Sequence, residues 1–329
     1  MGSFRFADLF AGIGGTRIAF ERQGGKCVYT CEKSEEAREA YQRYFDDPVE
    51  GKDIQDVDIS SIPDHDVLLA CWPCPSFSRI GDRTGLKDTR GSLFYHILKT
   101  LKKKQPAAFF LENVKDVRSM DDGKVFELIT DELRSLGYTL DYEVLNALNF
   151  GLPQHRERLI IVGTRTSDAL SMPTTSADAL DDEQSQRAAL ADILVSDPRE
   201  KFVASEKIQA DRQESLTDPE DVPTPSIWYE NRAGTITLRP YANALRASAS
   251  WNYQLVDGYR RFTPRELLRL QGFPKDFEIT RTNESRARKV TGNSIPIPMV
   301  EAVTGELLTD ISVLPSAEYR PGMRPVTSD

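Results

Sequence analysis

No apolar run in this chain is long enough to cross a bilayer, cysteine and histidine are sparse, and positive charge is not in excess. Each lack narrows the possibilities. A membrane-spanning helix needs about 20 consecutive apolar residues, and runs such as Val67-Leu68-Leu69-Ala70 stop far short. The opening MGSFRFADLF lacks the cationic region, long apolar stretch and cleavage site of a secretory signal. Four cysteines in 329 residues do not make a disulfide scaffold, so a reducing, cytoplasmic setting is expected, with no membrane association. The formal net charge of −9 argues mildly against nucleic acid as a partner. A basic face can coexist with an acidic back, however, so the placement of the arginines carries more weight. The chain is long enough for a large core and two domains.

The cysteines invite two readings that the spacing does not favour. Cys27, Cys31, Cys71 and Cys74 could be taken as four zinc thiolates. Cys27-Val-Tyr-Thr-Cys31 looks like a strand, which would send both side chains to one face but hold them apart, so no metal is expected. A Cys71–Cys74 redox pair lacks a thioredoxin-like context, and Pro73 and Pro75 flank its second thiol.

Strand-like and helix-like segments alternate through the first half. Strands are expected at Phe4–Phe10, Cys27–Cys31, Val67–Ala70, Ala107–Glu112, Leu140–Asn146 and Leu159–Gly163. Helices are expected at Thr16–Gln23, Ser34–Phe45 (Ser34 as N-cap), Leu93–Lys103 and Val125–Leu136, the last ended by Gly137. This alternation predicts an α/β fold, a doubly wound, mostly parallel sheet with helices on both faces. From about Thr164 the chain turns polar, with one amphipathic helix at Gln184–Leu194. A region rich in turns, aromatics and arginine follows, and Thr263 and Pro264 open a helix as N-cap and first residue. These features predict a second, smaller β- and loop-rich domain over about 165–289. Residues 1–164 and about 290–329 would form the first domain, to which a core helix at Ile295–Thr309 could return.

Cys74 follows the apolar run at Val67–Ala70, where Pro73-Cys74-Pro75 ends the strand. In open α/β sheets that end faces the ligand crevice, and a thiol there is a candidate nucleophile. Phe10-Ala11-Gly12-Ile13-Gly14-Gly15 lets a backbone turn sharply beside a ligand. The dinucleotide fingerprint wants a third glycine where Arg17 stands, which disfavours a nicotinamide cofactor. Glu32 ends the second strand, where an acid takes ribose hydroxyls, and Asp53 is placed to receive an adenine amino group. Glu112 and Asn113 close the strand from Ala107. Gln154-His155-Arg156-Glu157-Arg158 precedes the next strand, and Arg156 and Arg158 would share a face if that stretch is extended.

The ordered motifs FAGIGG, PCPSFS, ENV, QHRER and GNSIPIP resemble those of the cytosine-5 DNA methyltransferases of bacterial restriction-modification type, from about Phe6 to Thr304. The resemblance implies a Rossmann-like methyltransferase domain that binds S-adenosylmethionine, leaves S-adenosylhomocysteine, and acts on double-stranded DNA. It implies cofactor contacts from Phe10, Gly12, Ile13, Gly14, Gly15, Glu32, Lys33, Asp53, Ile54, Pro73, Leu93, Asn293 and Ser294. Cys74 would attack ring carbon 6 of a cytosine flipped out of the duplex. Glu112 would hold its amino group and nitrogen 3, with a pKa raised by burial. Asn113 would fix that loop, Arg158 would bind the carbonyl oxygen, and Arg156 would support the attacked strand. Ser78 to Arg90 resembles the family's mobile loop, with Ser78, Arg79, Arg83, Lys87 and Arg90 meeting DNA. Arg232, Thr237, Arg239, Arg246 and the Arg281–Lys289 cluster would add phosphate and base contacts. A monomer in the cytoplasm or nucleoid is expected, with any cognate restriction endonuclease acting separately.

The chain departs from the family pattern at Pro75, where glutamine is usual. Ser78-Arg79-Ile80-Gly81 also looks like the branch that methylates tRNA, but the second domain lacks that branch's Cys-Phe-Thr motif. A non-catalytic DNA-binding relative is a further alternative, opposed by the intact Cys74, Glu112 and Arg158.

Overall fold

A computed structural model describes residues 4–73, 93–167, 170–216, 222–247, 250, 252–279 and 284–311. Cys74, Ser78, Arg79, Arg83, Lys87 and Arg90 lie outside them. The elements in order are β1 (Phe4–Leu9), α1 (Gly15–Arg22), β2 (Gly25–Cys31), α2 (Glu35–Phe45), β3 (Val67–Cys71), α3 (Leu93–Lys104), β4 (Ala108–Val114), α4 (Lys124–Ser135), β5 (Thr139–Asn146), β6 (Gln154–His155) and β7 (Glu157–Thr164). Then come α5 (Glu183–Ile193), α6 (Glu206–Glu214), β8 (Ile227–Glu230), β9 (Ile236–Arg239), β10 (Ala242–Asn243), β11 (Gln254–Val256), α7 (Pro264–Arg269), α8 (Glu284–Gly292) and α9 (Ile297–Ile311).

The chain divides into two compact units. The first comprises Met1–Leu145, Glu157–Thr174 and Val300–Asp329; the second comprises Asn146–Arg156 and Thr175–Met299. Residues 146–156 and 290–299, grouped with the first domain on sequence, thus lie in the second unit.

A six-stranded sheet in the order β2-β1-β3-β4-β7-β5 organises the first unit. Neighbours β2 to β4 pair in parallel, whereas β7 runs antiparallel to β4. Strand β3 is buried on both faces, which explains its unbroken apolar run Val67–Ala70. One sheet face packs Leu9, Leu68, Ala70, Phe109 and Leu111 against Phe94, Ile97 and Leu101 of α3 and Ile129 and Leu133 of α4. On the other, Phe20 of α1 sits 5.6 Å from Phe6 and 5.9 Å from Phe110 between ring centroids. Helices therefore cover both faces, as the alternation predicts.

One local expectation fails. Strand β2 carries a bulge, so Cys27 pairs with Phe6 while Tyr29, not Val28, pairs with Ala7. An extra residue reverses the alternation of faces. Cys27 accordingly meets Thr30 at 3.2 Å, while Cys31 joins the opposite apolar cluster. The two thiols do not share a face. Burial raises both pKa values, that of Cys31 to about 12.

In the second unit, β11, β8 and β9 form an antiparallel sheet, and β10 pairs with β6. Their core joins Leu190, Ile227, Leu245, Val256, Phe262, Leu267 and Leu270. Thr263 caps α7 with Pro264 next, as the sequence indicates. Glu266, fully buried, accepts from both terminal guanidinium nitrogens of Arg260 at 3.0 and 2.8 Å and from the Val195 amide at 2.8 Å. Sequence reading did not anticipate α6 or α8, whose strongly polar compositions hide any apolar stripe.

Candidate active site

The chain leaves β1 through a tight turn. Phe10, Gly12 and Gly14 adopt φ of 60°, 57° and 87°. The Gly14 amide donates to the Ala11 carbonyl at 2.9 Å, and the Ala11 amide to the Cys31 carbonyl at 3.2 Å. A Cβ on Gly12 would meet nothing within 4 Å, so the turn has open space beside it. A Cβ on Gly14 would fall 2.3 Å from the Phe45 ring. Gly14→Ala is therefore expected to cost about 2–3 kcal/mol, through left-handed strain and overpacking together. A denaturant melt checks this, and an unchanged midpoint would contradict it.

Arg17, placed on sequence at the helix–strand contact, is buried, only 6% exposed. It pairs with Glu21, Asp47 and the Tyr41 hydroxyl, and lies 4.2 Å from the Phe45 ring centroid. Helix α2 is thereby held beside the glycine turn.

Glu32 is half-buried just beyond β2. Its carboxylate accepts from the amides of Gly12 at 2.9 Å and Ser34 at 2.7 Å, which aligns it with the turn. Asp53 accepts from the Gln55 amide at 3.1 Å and from Lys33 at 3.0 Å. Burial opposes ionisation of Asp53, but these two partners outweigh it and its pKa falls. Ile54 is buried beside it, as is Ile13 within the turn, and Gly15 begins α1. The structure thus brings Phe10, Gly12, Ile13, Gly14, Gly15, Glu32, Lys33, Asp53 and Ile54 to the strand ends of one sheet. Pro73 is exposed, and Leu93 packs on the core at the start of α3.

Glu112 lies on β4 and Arg158 near the start of β7, and antiparallel pairing makes them neighbours. Arg158 Nε meets Glu112 Oε1 at 2.9 Å, with side chains 14% and 12% exposed. The pair sets a donor beside an acceptor at the rim where β3 ends. Asn113 is buried and donates from Nδ2 to the Trp72 carbonyl at 3.0 Å, which ties β4 to the stretch leading into Cys74. Cys71 is directly opposite Glu112 in the β3–β4 register. Burial, then the Glu112 charge, push its pKa well up, so it remains a thiol.

Arg156 does not share a face with Arg158, because the extended stretch breaks between β6 and β7. Its guanidinium, 1% exposed, donates to the carbonyls of Leu245 at 3.0 Å, Gly292 at 2.9 Å and Ser294 at 2.6 Å. The result is an anchor within the second unit. Asn293 is exposed and Ser294 buried in that same unit.

Arg232 stands on an exposed hairpin tip made rigid by Asn231 Oδ1, which accepts from the amides of Ala233 at 2.8 Å and Thr235 at 3.0 Å. Thr237 lies on β9. Arg239 sits between the Tyr229 and Tyr241 rings at 5.8 and 5.7 Å, and Arg246 lies 4.7 Å from the Tyr253 ring. Sequence reasoning missed Asp8, whose carboxyl is fully buried just before the glycine turn. Its signal was an acid within an otherwise apolar inward-facing strand.

A family model described as C-5 cytosine-specific DNA methylase matches residues 4–309. Type II methyltransferase M.NgoBI of Neisseria gonorrhoeae is 44% identical over 91% of each chain. M.HaeII of Haemophilus aegyptius is 42% identical over 97% of this chain and 98% of its own. Among solved structures, the S. pombe Dnmt2 methyltransferase superposes with a TM-score of 0.69 at 21% identity, covering 94% of this chain and 99% of that one. A putative DNA modification methyltransferase encoded within an E. coli prophage gives 0.68 at 17% identity, with the same coverage; these two likenesses bear on the fold. Motif order, sheet topology and full-length identity converge: the chain belongs to the C-5 cytosine-specific DNA methylase family and is a DNA cytosine-5 methyltransferase.

Proposed function

We propose that the chain is the modification enzyme of a restriction-modification system. On this reading it flips a cytosine out of duplex DNA and methylates ring carbon 5, using Cys74 as a transient covalent nucleophile. The Glu112–Arg158 pair is the observation that carries this reading. A cytosine presents a carbonyl oxygen, nitrogen 3 and an amino group along one edge. A guanidinium donor beside a carboxyl matches that edge. Thiol addition at carbon 6 loads electrons onto the ring, and Glu112 stabilises them by sharing a proton with nitrogen 3. Arg158 holds the carbonyl oxygen, and Asn113 fixes the strand end. The Arg158 contact at 2.9 Å orients the Glu112 carboxyl, and the proton it shares with nitrogen 3 is drawn from solvent, because neutral cytosine carries none there.

S-adenosylmethionine is the methyl donor proposed for the glycine turn, where it supplies an electrophilic methyl group. The open space beside Gly12 suits a ligand lying against the backbone. Glu32 keeps lone pairs for a ribose diol, and Asp53 offers an acceptor to an adenine amino group once Lys33 moves aside. Asn293 and Ser294 are proposed to meet the methionine end. Arg232 on its rigid tip, with Thr237, Arg239 and Arg246, is proposed to contact DNA, as are Ser78, Arg79, Arg83, Lys87 and Arg90. A monomer acting in the cytoplasm, apart from any endonuclease, fits a chain in which no helix among the described residues is long and apolar enough to cross a membrane. Bisulfite sequencing of host DNA after expression tests the reading. Protected cytosines within one short motif are expected, and host DNA without a methylated motif would refute it.

A further inference from the structure

Asp8 is 0% exposed on β1, two residues before the turn at Phe10. Its Oδ2 accepts from the Thr16 hydroxyl at 2.7 Å, and its Oδ1 has no partner among the described residues. A buried carboxyl with an unpartnered oxygen is costly, and an apolar residue would fill the position without that cost. Holding Thr16 does not require an acid, since asparagine also offers an acceptor. The excess must be accounted for by charge.

The groups facing Asp8 come from every element packed around it. They are Thr16 and Arg17 on α1, Cys27 on β2 with Glu32 just beyond it, Tyr41 on α2 and Cys71 on β3. Burial, aided by Glu32 and opposed by Thr16 and Arg17, raises the Asp8 pKa to about 7. Burial also raises the pKa values of Cys27, Tyr41 and Cys71, which keep their protons. Within this cluster Asp8 is the group that changes charge near neutrality.

We propose that Asp8 is a specificity-determining residue of the cofactor site, a buried carboxyl that releases its proton to solvent when a sulfonium occupies the glycine turn and retains it when the neutral thioether product is there. The inference rests on the reading that this turn takes S-adenosylmethionine. A positive charge near a buried acid favours its ionised form. By reciprocity, the ionised acid favours the sulfonium over the thioether. After methyl transfer the sulfur is neutral, Asp8 recovers a proton, and the preference for the sulfonium ligand is lost.

The test is calorimetric titration of the full chain with S-adenosylmethionine and, separately, S-adenosylhomocysteine. The two ligands share their adenosine, carboxylate and amino groups, so the ratio of their affinities isolates the sulfur. From about pH 6 to about pH 8.5 the ratio should shift about 5- to 10-fold toward S-adenosylmethionine. Titrations in two buffers of different ionisation enthalpy should show more proton release with the sulfonium ligand. Asp8→Asn should flatten the pH dependence. Thr16→Val removes a hydrogen bond that favours the carboxylate, so it should move the midpoint to higher pH.

A ratio independent of pH in the unsubstituted protein, or an undiminished slope in Asp8→Asn, overturns the proposal. So does an Asp8→Asn variant that weakens both ligands equally while keeping the slope, since that is a structural role only. If neither ligand binds, the cofactor reading itself fails along with the inference; if both bind with a flat ratio, only the inference fails. A cofactor-free readout stands beside these. The folded carboxyl keeps its proton to about pH 7, whereas the unfolded one loses it near about pH 4. Stability should therefore decline as pH rises through that window, and Asp8→Asn should remove that part of the decline. An identical pH–stability profile in the variant also overturns the proposal.

Discussion

Cys74→Ser protein is expected to leave no covalent adduct on duplex DNA carrying 5-fluorocytosine at the target, whereas the unsubstituted chain is trapped on it. Thiol addition at carbon 6 precedes methyl transfer, and elimination of the thiol then needs a proton on carbon 5. Fluorine there cannot leave as a proton, so the adduct persists. A serine hydroxyl is a far weaker nucleophile without an adjacent base to activate it. Glu112→Gln should retain DNA binding and lose about 10²–10⁴-fold in methylation rate, because the amide cannot share a proton with nitrogen 3. Denaturing electrophoresis reads the adduct, and single-turnover methylation reads the rate. Equal trapping of Cys74→Ser, or a Glu112→Gln rate within a few-fold of the parent, would dismantle the mechanism.

Arg156→Ala is expected to lower the stability of the second unit by on the order of 4 kcal/mol, since three buried carbonyls would lose charge-assisted partners. Arg156→Lys should recover only part of this, because one ammonium cannot reproduce the spread of a planar guanidinium. Denaturant unfolding followed by tryptophan fluorescence, with Trp72 of the first unit replaced by phenylalanine, reports on that unit through buried Trp228. An Arg156→Ala midpoint equal to the parent's would mean that the three bonds contribute nothing net.

Much of the fold is legible in the residues, because buried parallel strands and the helices between them carry distinct periods. Val67–Ala70 needs no partner to be read as a buried strand, and Ser34 marks the start of α2 unaided. What escapes is set by register. The bulge at Val28 separates Cys27 from Cys31, and no local pattern announces it. Glu112 and Arg158 are far apart in sequence, and they meet only because β7 runs opposite to β4. Arg156 and Arg158 look equivalent as alternate residues of a charged edge. Yet one is buried among three carbonyls and the other pairs with a carboxylate, a difference made entirely by non-local partners. Asp8 was visible as a polar residue in an apolar strand, but its full burial and unpartnered oxygen belong to the packing of α1 and α2.

The passage of the chain between its two units at Arg156 and Glu157 bears on how new sequence specificities could be built or could arise. An exchange of recognition modules between relatives that cut only at Thr175 and Met299 would leave Asn146–Arg156 behind. The incoming Leu245, Gly292 and Ser294 carbonyls would then face a foreign arginine loop. The transferable module is discontinuous, and a working chimera should carry the eleven residues Asn146–Arg156 together with Thr175–Met299. If the second unit reads DNA, as proposed, recombination that respects this pairing would change the sequence read while leaving Glu112 and Arg158, both in the first unit, in place.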